Sequence, residues 1–382
     1  MRLRSLGQGL ALAAAGAAMA VILAEVGLRL FYPQALLHDP DAFLPDPDLE
    51  ARLKPGFTDR VVTTEFASTW RINEDGYRGP RAGERGPAAF RIAALGDSFT
   101  FGYGVEEEDA WPRRLEATLD EGRSPSARVE VANLGVGGYG TFHEVAWLER
   151  IEQKVRPDLA VVEFYVGNDP ADNARFAQRG TQRNDVAVST ELDPGAGRVE
   201  TIKRWMGSRL HLFALVSSRA DELLVRLGLR RLVYPFEMEV LLKRPPPVVD
   251  IAWRATDDAL RGLAELSRRR GLKILVAVIP MRHQVSEMAW QRLLRHYGGP
   301  SAAPGLARDG PQGIVRALCD REGLPLFDLL AGFREEKARL GVDGREFYWS
   351  RDQHFNGRGH ALAARLIGET LTRDGWVASA GR

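Results

Sequence analysis

The chain has 382 residues, 45% of them hydrophobic and 27% charged, with a formal net charge of +1. That composition suits one large α/β domain with additions, or two smaller ones, and a near-zero charge argues against a nucleic-acid partner. A single cysteine, Cys319, excludes an intrachain disulfide; in the helix-like run GIVRALCDREG it is expected to be a buried packing residue.

At the N-terminus, Arg2 and Arg4 precede a charge-free run from Leu6 to Ala24, close to the ~20 residues a membrane-spanning helix needs. Phe31 and Tyr32 suit the far interface. We therefore expect an uncleaved signal anchor, a transmembrane helix over residues 1–32. Its positive end should stay inside, leaving a single-pass protein whose remainder is periplasmic or extracellular. Ala18-Met19-Ala20 is also an Ala-x-Ala sequence, so a cleaved signal peptide and a secreted chain is the competing expectation. Val21-Ile22-Leu23 carries the apolar run past that point.

Residues 33–89 form an N-terminal extension rich in Pro, Gly and charge. RVVTTEFASTWRIN alternates as one or two short strands do, and EDGYRGPRAGERG reads as a loop. Five short apolar runs follow: FRIAAL (90–95), RVEVAN (128–133), DLAVVEFY (158–165), LKILVAVI (272–279) and LPLFDL (324–329). Several lack polar alternation, as strands covered on both faces do. Helical stretches separate them. TFHEVAWLERIEQ opens with a Thr141-x-x-Glu144 capping-box pattern. TDDALRGLAELSRRRG has acids at its start, arginines at its end and Gly271 beyond. A last helix carries Leu362, Leu366, Ile367 and Leu371. Alternating strands and helices predict a doubly wound parallel five-stranded sheet. One insertion, 170–250, breaks the alternation: a polar stretch, an amphipathic run over 209–233 and the stiff KRPPPVV connector. It is read as helices packed on the core, with a lid or a membrane-resting surface as alternatives.

In such a sheet, ligands bind beyond the carboxyl ends of the strands. Gly96-Asp97-Ser98 follows the first strand, NLGVGGYG (133–140) the second and Gly167-Asn168-Asp169 the third. Asp352-Gln353-His354 lies just before the final helix. Each could be turn chemistry alone, but together they meet the needs of acyl transfer from an ester. Ser98 is the candidate nucleophile, His354 the base that takes its proton and Asp352 the acid that orients the base. The Ser98 backbone N–H, Gly138 and the Asn168 side chain are candidate oxyanion-hole donors. His283, at the end of the fourth strand, is a candidate substrate contact, whereas His143 and His360 read as structural. No Cys/His cluster or HExxH has metal-ligand spacing, and the glycines of 135–140 lack the dinucleotide fingerprint. No metal and no cofactor are expected.

These four blocks resemble those of the SGNH/GDSL hydrolase family, which supply Ser, Gly, Asn and His in that order. GDSFTFG is similar to the first block, with Phe99 in place of the usual leucine. NLGVGGYG resembles the second and places the oxyanion glycine at Gly138, GND matches the third at Asn168, and DQHFNGRGH resembles the last. The resemblance spans residues 90–172 and 270–375; its usual Asp-x-x-His spacing is here Asp-x-His. It implies a flavodoxin-like α/β hydrolase domain over 90–375, interrupted by the insertion, and a membrane-anchored serine esterase. The substrate would be an esterified small molecule, glycan or lipid, with acetyl esters favoured. An O-acyltransferase acting on envelope polysaccharide is the alternative, and a non-catalytic glycan-binding domain a third.

Overall fold

The five apolar runs become the strands of one parallel sheet, the inner ones buried on both faces and the edge strand Leu326–Asp328 half-buried. The structure is a computed structural model that describes residues 2–32, 34, 36, 42–63, 65–84, 89–182, 202, 205–207, 209–226, 236–296, 305–350 and 352–377. Two short antiparallel pairs come first: β1 (Phe43–Asp46) with β2 (Glu50–Leu53), and β3 (Thr58–Val62) with β4 (Ala67–Arg71). The main sheet holds β5 (Phe90–Leu95), β6 (Val129–Asn133), β7 (Leu159–Tyr165), β8 (Lys273–Ile279) and β9 (Leu326–Asp328). Its order is β6-β5-β7-β8-β9. All four neighbouring pairs are parallel. Every residue of β6 and β7 is buried, Glu130 and Glu163 included.

Strand order reverses at β5, with β6 on one side and β7 on the other. That switch point opens a crevice at the carboxyl edge. The register pairs Leu95 with Val162, so the chain leaves β5 for Ser98 beside the path by which β7 leads to Asn168. Cys319 is fully buried on the helix Gly310–Glu322, as expected.

Two helix starts differ from expectation. The helix Thr141–Val155 has Gly140 as its cap, and the His143 ring Nδ1 accepts from the Gly140 N–H at 3.3 Å. Thr141 is thus already inside the first turn, and Glu144 is buried instead of reaching back in a capping box. The long helix begins at Pro247 and runs to Arg270, so the end of KRPPPVV is its first turn. Asp257 and Asp258 consequently lie mid-helix. Its end is as read, with three arginines in the last turn and Gly271 at φ +65°.

The described chain divides into two compact units. One comprises residues 1–40, 62–66 and 187–233 and contains the helices Arg2–Phe31 and His211–Arg226. The first helix runs past the charge-free stretch. Glu25 and Arg29 pair one turn apart at 2.8 Å, and Glu25 accepts from the backbone N–H of His211 (3.1 Å) and Leu212 (2.8 Å). A carboxylate on one helix thereby caps the N-terminus of the other. Within this unit, the described part of the amphipathic run, His211–Arg226, packs against the N-terminal helix. Residues 183–201, 203, 204, 208 and 227–235 of the insertion lie outside the described residues.

The second unit contains the sheet, with most of the extension built into it. Arg78, in the loop after β4, is 1% exposed and bridges Asn133 at the end of β6. Its guanidinium donates to the carbonyls of Phe101 (2.8 Å), Gly102 (2.7 Å), Val105 (2.8 Å) and Thr69 (3.1 Å). Burial pushes its pKa down to about 10, which leaves it charged at neutral pH. Arg78→Met should remove a charged donor from each of these carbonyls and lower the unfolding free energy by about 3 kcal/mol. Denaturant titration of the full chain in detergent, followed by tryptophan fluorescence, measures this.

Candidate active site

Ser98 stands at the sheet edge because the turn before it has no room for side chains. Gly96 has φ +153°, and a Cβ there would lie 2.2 Å from Thr100 Oγ1 and 2.4 Å from Glu163 Oε2. After β6, a Cβ on Gly135 would lie 2.2 Å from the Phe101 nitrogen. Asp97 caps the short helix Ser98–Phe101 by accepting from the Phe99 N–H at 2.7 Å. Ser98 is therefore the first residue of that turn, where a backbone N–H has no intrahelical acceptor.

His354 arrives from a loop that closes on itself. Tyr348 bridges Phe355, and the Trp349 N–H donates to the His354 carbonyl at 2.8 Å. His354 Nε2 is 2.7 Å from Ser98 Oγ, and Asp352 Oδ1 is 2.5 Å from His354 Nδ1. The structure thus brings Ser98, His354 and Asp352 into one row. Gln353 takes φ +77°, and this left-handed residue turns the chain sharply enough for the carboxylate to reach the inner ring nitrogen. The conformation costs roughly 1 kcal/mol in a non-glycine residue. It explains how a spacing one residue shorter than usual still makes the contact.

The ring is held from its sides too. Phe99 and Tyr103 each lie 4.9 Å from the His354 ring centre. Burial and the Asp352 charge push the Tyr103 hydroxyl up to about 12, so it stays neutral. Arg282 Nη1 donates to the carbonyls of Trp349 (3.1 Å) and Ser350 (2.6 Å), and Tyr348 Oη to that of Pro280 (3.0 Å). Arg78, Tyr103 and Arg282 all escaped the sequence reading. Arg282 had a signal, since it follows the fourth strand directly; Arg78 had none.

Asn168 Nδ2 donates to Asp97 Oδ2 at 3.0 Å, and a primary amide has a second N–H to offer. A Cβ on Gly137 would lie 3.9 Å from Ser98 Cβ, so the glycine loop passes beside the hydroxyl. Gly138 follows at φ +82°, and a Cβ there would meet nothing within 4 Å. The other histidines lie apart from the row. His143 stacks on Tyr139 at 4.9 Å, and His360 Nδ1 accepts from the Trp111 N–H at 3.3 Å. His283, on the short helix Arg282–Val285, makes no hydrogen bond or ring contact with Ser98, Asp352 or His354; it lines a neighbouring cavity.

Behind the serine lie five buried carboxyl groups, those of Asp97, Glu144, Glu163, Asp169 and Asp172. Glu163 Oε2 accepts from the Asp97 N–H (3.2 Å) and Thr100 Oγ1 (3.1 Å). Both Glu144 oxygens, Glu163 Oε1 and Asp169 Oδ1 have no hydrogen-bond partner. Burial, and after it the Asp97 charge, push Glu144, Glu163 and Asp169 well above the carboxylate range. Burial raises Asp172 to about 7, although Arg175 pulls it down. Among the described residues no three His, Cys, Asp or Glu side chains are grouped to hold a metal ion. Glu144, Glu163 and Asp169 relieve their charge by keeping protons.

Comparison with known proteins gives one family. The model of the GDSL-like lipase/acylhydrolase family matches residues 94–362. No curated protein matches the sequence. Solved structures with similarity include a lipase/acylhydrolase from Enterococcus faecalis, 15% identical, covering 77% of this chain and 100% of that one with a TM-score of 0.37. LAE5, an alpha/beta hydrolase enzyme from the metagenome of Lake Arreo, Spain, is 15% identical over 76% of this chain and 98% of that one, TM-score 0.39. An acetyl xylan esterase, AlAXEase, is 13% identical over 74% and 100%, TM-score 0.38.

The carboxyl cluster gives the stability a definite pH sign. A carboxyl with a raised folded-state pKa binds its proton more tightly folded than unfolded. Its stabilisation is full below the unfolded value, about 4, and is lost as pH rises through the folded value. Unfolding free energy should therefore fall as pH rises above about 5 and on through 7, where Asp172 titrates in the folded chain. Glu163→Gln, which keeps a neutral group of the same shape, should flatten that fall. Denaturation midpoints across this range, wild type against variant, check it.

Proposed function

The chain belongs to the GDSL-like lipase/acylhydrolase family and is a hydrolase of esters, and from that premise we propose that it works through an acyl-enzyme on Ser98. The 2.7 and 2.5 Å contacts of the Ser98–His354–Asp352 row carry this reading. His354 Nε2 takes the hydroxyl proton as Ser98 Oγ attacks the ester carbonyl, and Asp352 holds the imidazolium that results. The developing oxyanion accepts from the Ser98 and Gly138 N–H groups and the second N–H of Asn168. The bond to the alcohol then breaks as His354 returns its proton to the leaving oxygen. Water, deprotonated by the same nitrogen, releases the acid and frees Ser98. The side chains of His354 and Asp352 are each 25% exposed, which favours water over a sugar hydroxyl as acceptor.

The substrate we propose is an ester, acetyl first of all, on a carbohydrate or lipid outside the cytoplasm. Support comes from the N-terminal helix, of which Leu12–Phe31 is long and apolar enough to cross a membrane and is unburied. In this reading residues 1–32 are the anchor, 33–89 an extension and 90–375 the hydrolase domain. The helix His211–Arg226, capped by Glu25, belongs to the same compact unit as this anchor.

Ser98→Ala should lower turnover of a short acyl ester by on the order of a thousandfold or more. Asp352→Asn should lose roughly a hundred- to ten-thousandfold, because the amide favours the wrong imidazole tautomer. Steady-state rates decide, and near-normal turnover of the serine variant would end the assignment. The topology has its own check. A C-terminal reporter active only outside the cytoplasm should score positive, with the full-length chain recovered from the membrane fraction. A soluble chain beginning near Val21 would mark a cleaved signal instead.

A further inference from the structure

A cavity of about 620 Å³ lies next to the loop that carries Asp352 and His354. Ser350, two residues before Asp352, forms part of its wall, and Arg282 both lines it and grips the Ser350 carbonyl at 2.6 Å. Since Arg282 follows β8, the cavity opens at the same carboxyl edge as Ser98 and Asn168. It is not a bland surface hollow.

Three guanidinium groups line it, those of Arg282, Arg292 and Arg345, against one carboxylate, that of Glu346. Glu346 is spoken for in part, accepting from the Gly344 N–H at 2.8 Å and lying 3.7 Å from Arg345. Among the described residues, Arg292 has neither an ion pair nor a hydrogen-bond partner. His283, 9% exposed, lines the same cavity with no partner for its ring. Burial and the charges of Arg282 and Arg308 push it down to about 4, so at neutral pH its imidazole is a neutral donor and acceptor. Three guanidinium groups against one carboxylate, beside a ring that no described residue hydrogen-bonds, suit a planar oxyanion such as a carboxylate, which guanidinium binds through two parallel bonds.

We propose that this cavity is an anion subsite for the substrate, so that the ester cleaved at Ser98 is carried on an acidic glycan. A carboxylate or phosphate group on a neighbouring unit of the polymer would sit against Arg292 and Arg345 while the acyl group lies at the serine. The proposal rests on the esterase reading and narrows its substrate class. It also gives His283 its place: the residue reaches the polymer and not the reacting carbonyl.

The test uses the full chain in detergent and three esters: 4-nitrophenyl acetate, O-acetylated xylan and O-acetylated polygalacturonate. At low salt the acidic polymer should be preferred over the neutral one by roughly tenfold or more in kcat/KM. Raising salt to about 0.5 M should shrink that preference. The double variant Arg292→Glu/Arg345→Glu should abolish or invert it. Competition by unesterified polygalacturonate and by polyphosphate, with dextran as the neutral control, tells a carboxylate site from a phosphate site. Equal kcat/KM for the two polymers at low salt, or a preference the double variant retains, would overturn the subsite. Failure to cleave even 4-nitrophenyl acetate would overturn the esterase reading instead.

Discussion

Everything at this site depends on how closely the backbone passes itself at the end of β5. Side chains on Gly96 or Gly135 would drive into Thr100, Glu163 or the Phe101 backbone. With those positions bare, the chain turns at once into the helix Ser98–Phe101, and a hydroxyl stands at the sheet edge on a rigid element. Thr100 Oγ1 fixes the turn by donating within reach of both the Leu95 carbonyl (3.2 Å) and Glu163 Oε2 (3.1 Å). Rigidity matters because a nucleophile displaced by an ångström loses much of its advantage. The crevice at the switch point then lies where the hydroxyl already points.

The same crowding explains the buried acids. Glu163 sits on β7 against the turn, and Glu144 and Asp169 come from the helices that follow β6 and β7. In so dry a place an ionised carboxylate without a cation is unfavourable, whereas a protonated one is a small polar wedge. Arg175 reaches Asp172 at 2.9 Å, at the rim of the group. The charge that a substrate meets is instead on the far side of the His354 loop, where Arg282, Arg292 and Arg345 gather. Burial keeps Glu144, Glu163 and Asp169 from adding negative charge behind the serine, while the arginines concentrate positive charge in the neighbouring cavity.

Much of this was legible in the chain. The five strands were readable because burial on both faces removes polar alternation, and their ends could be trusted to within one or two residues. The positions after those ends gave Ser98, Asn168 and the loop holding Asp352 and His354, since a parallel sheet delivers strand ends to one edge. What escaped reading was whatever depends on a single dihedral angle or a distant contact. Nothing in the letters of Asp352-Gln353-His354 says that Gln353 will turn left-handed. A Thr-x-x-Glu pattern loses to the burial of Glu144. The amphipathic run 209–233, of which 211–226 is a helix, has an apolar face that fits a core or another helix equally well; Glu25, nearly 190 positions away, decides between them.

Two arginines show how the unread parts hold the read ones. Arg78 gathers the carbonyls that follow Ser98, and Arg282 gathers those that precede Asp352. A guanidinium suits this because it is all donor, planar and always charged, so it can bind several carbonyl oxygens of an irregular loop together. Loops have no ladder of their own to satisfy those oxygens. The nucleophile and its base come from segments 256 positions apart, and their 2.7 Å contact survives only if both loops are fixed to the sheet. One clamp comes from the N-terminal extension and the other from the end of β8. The extension is therefore part of the site's framework: without it, the carbonyls of Phe101, Gly102 and Val105 would each lose a charged donor.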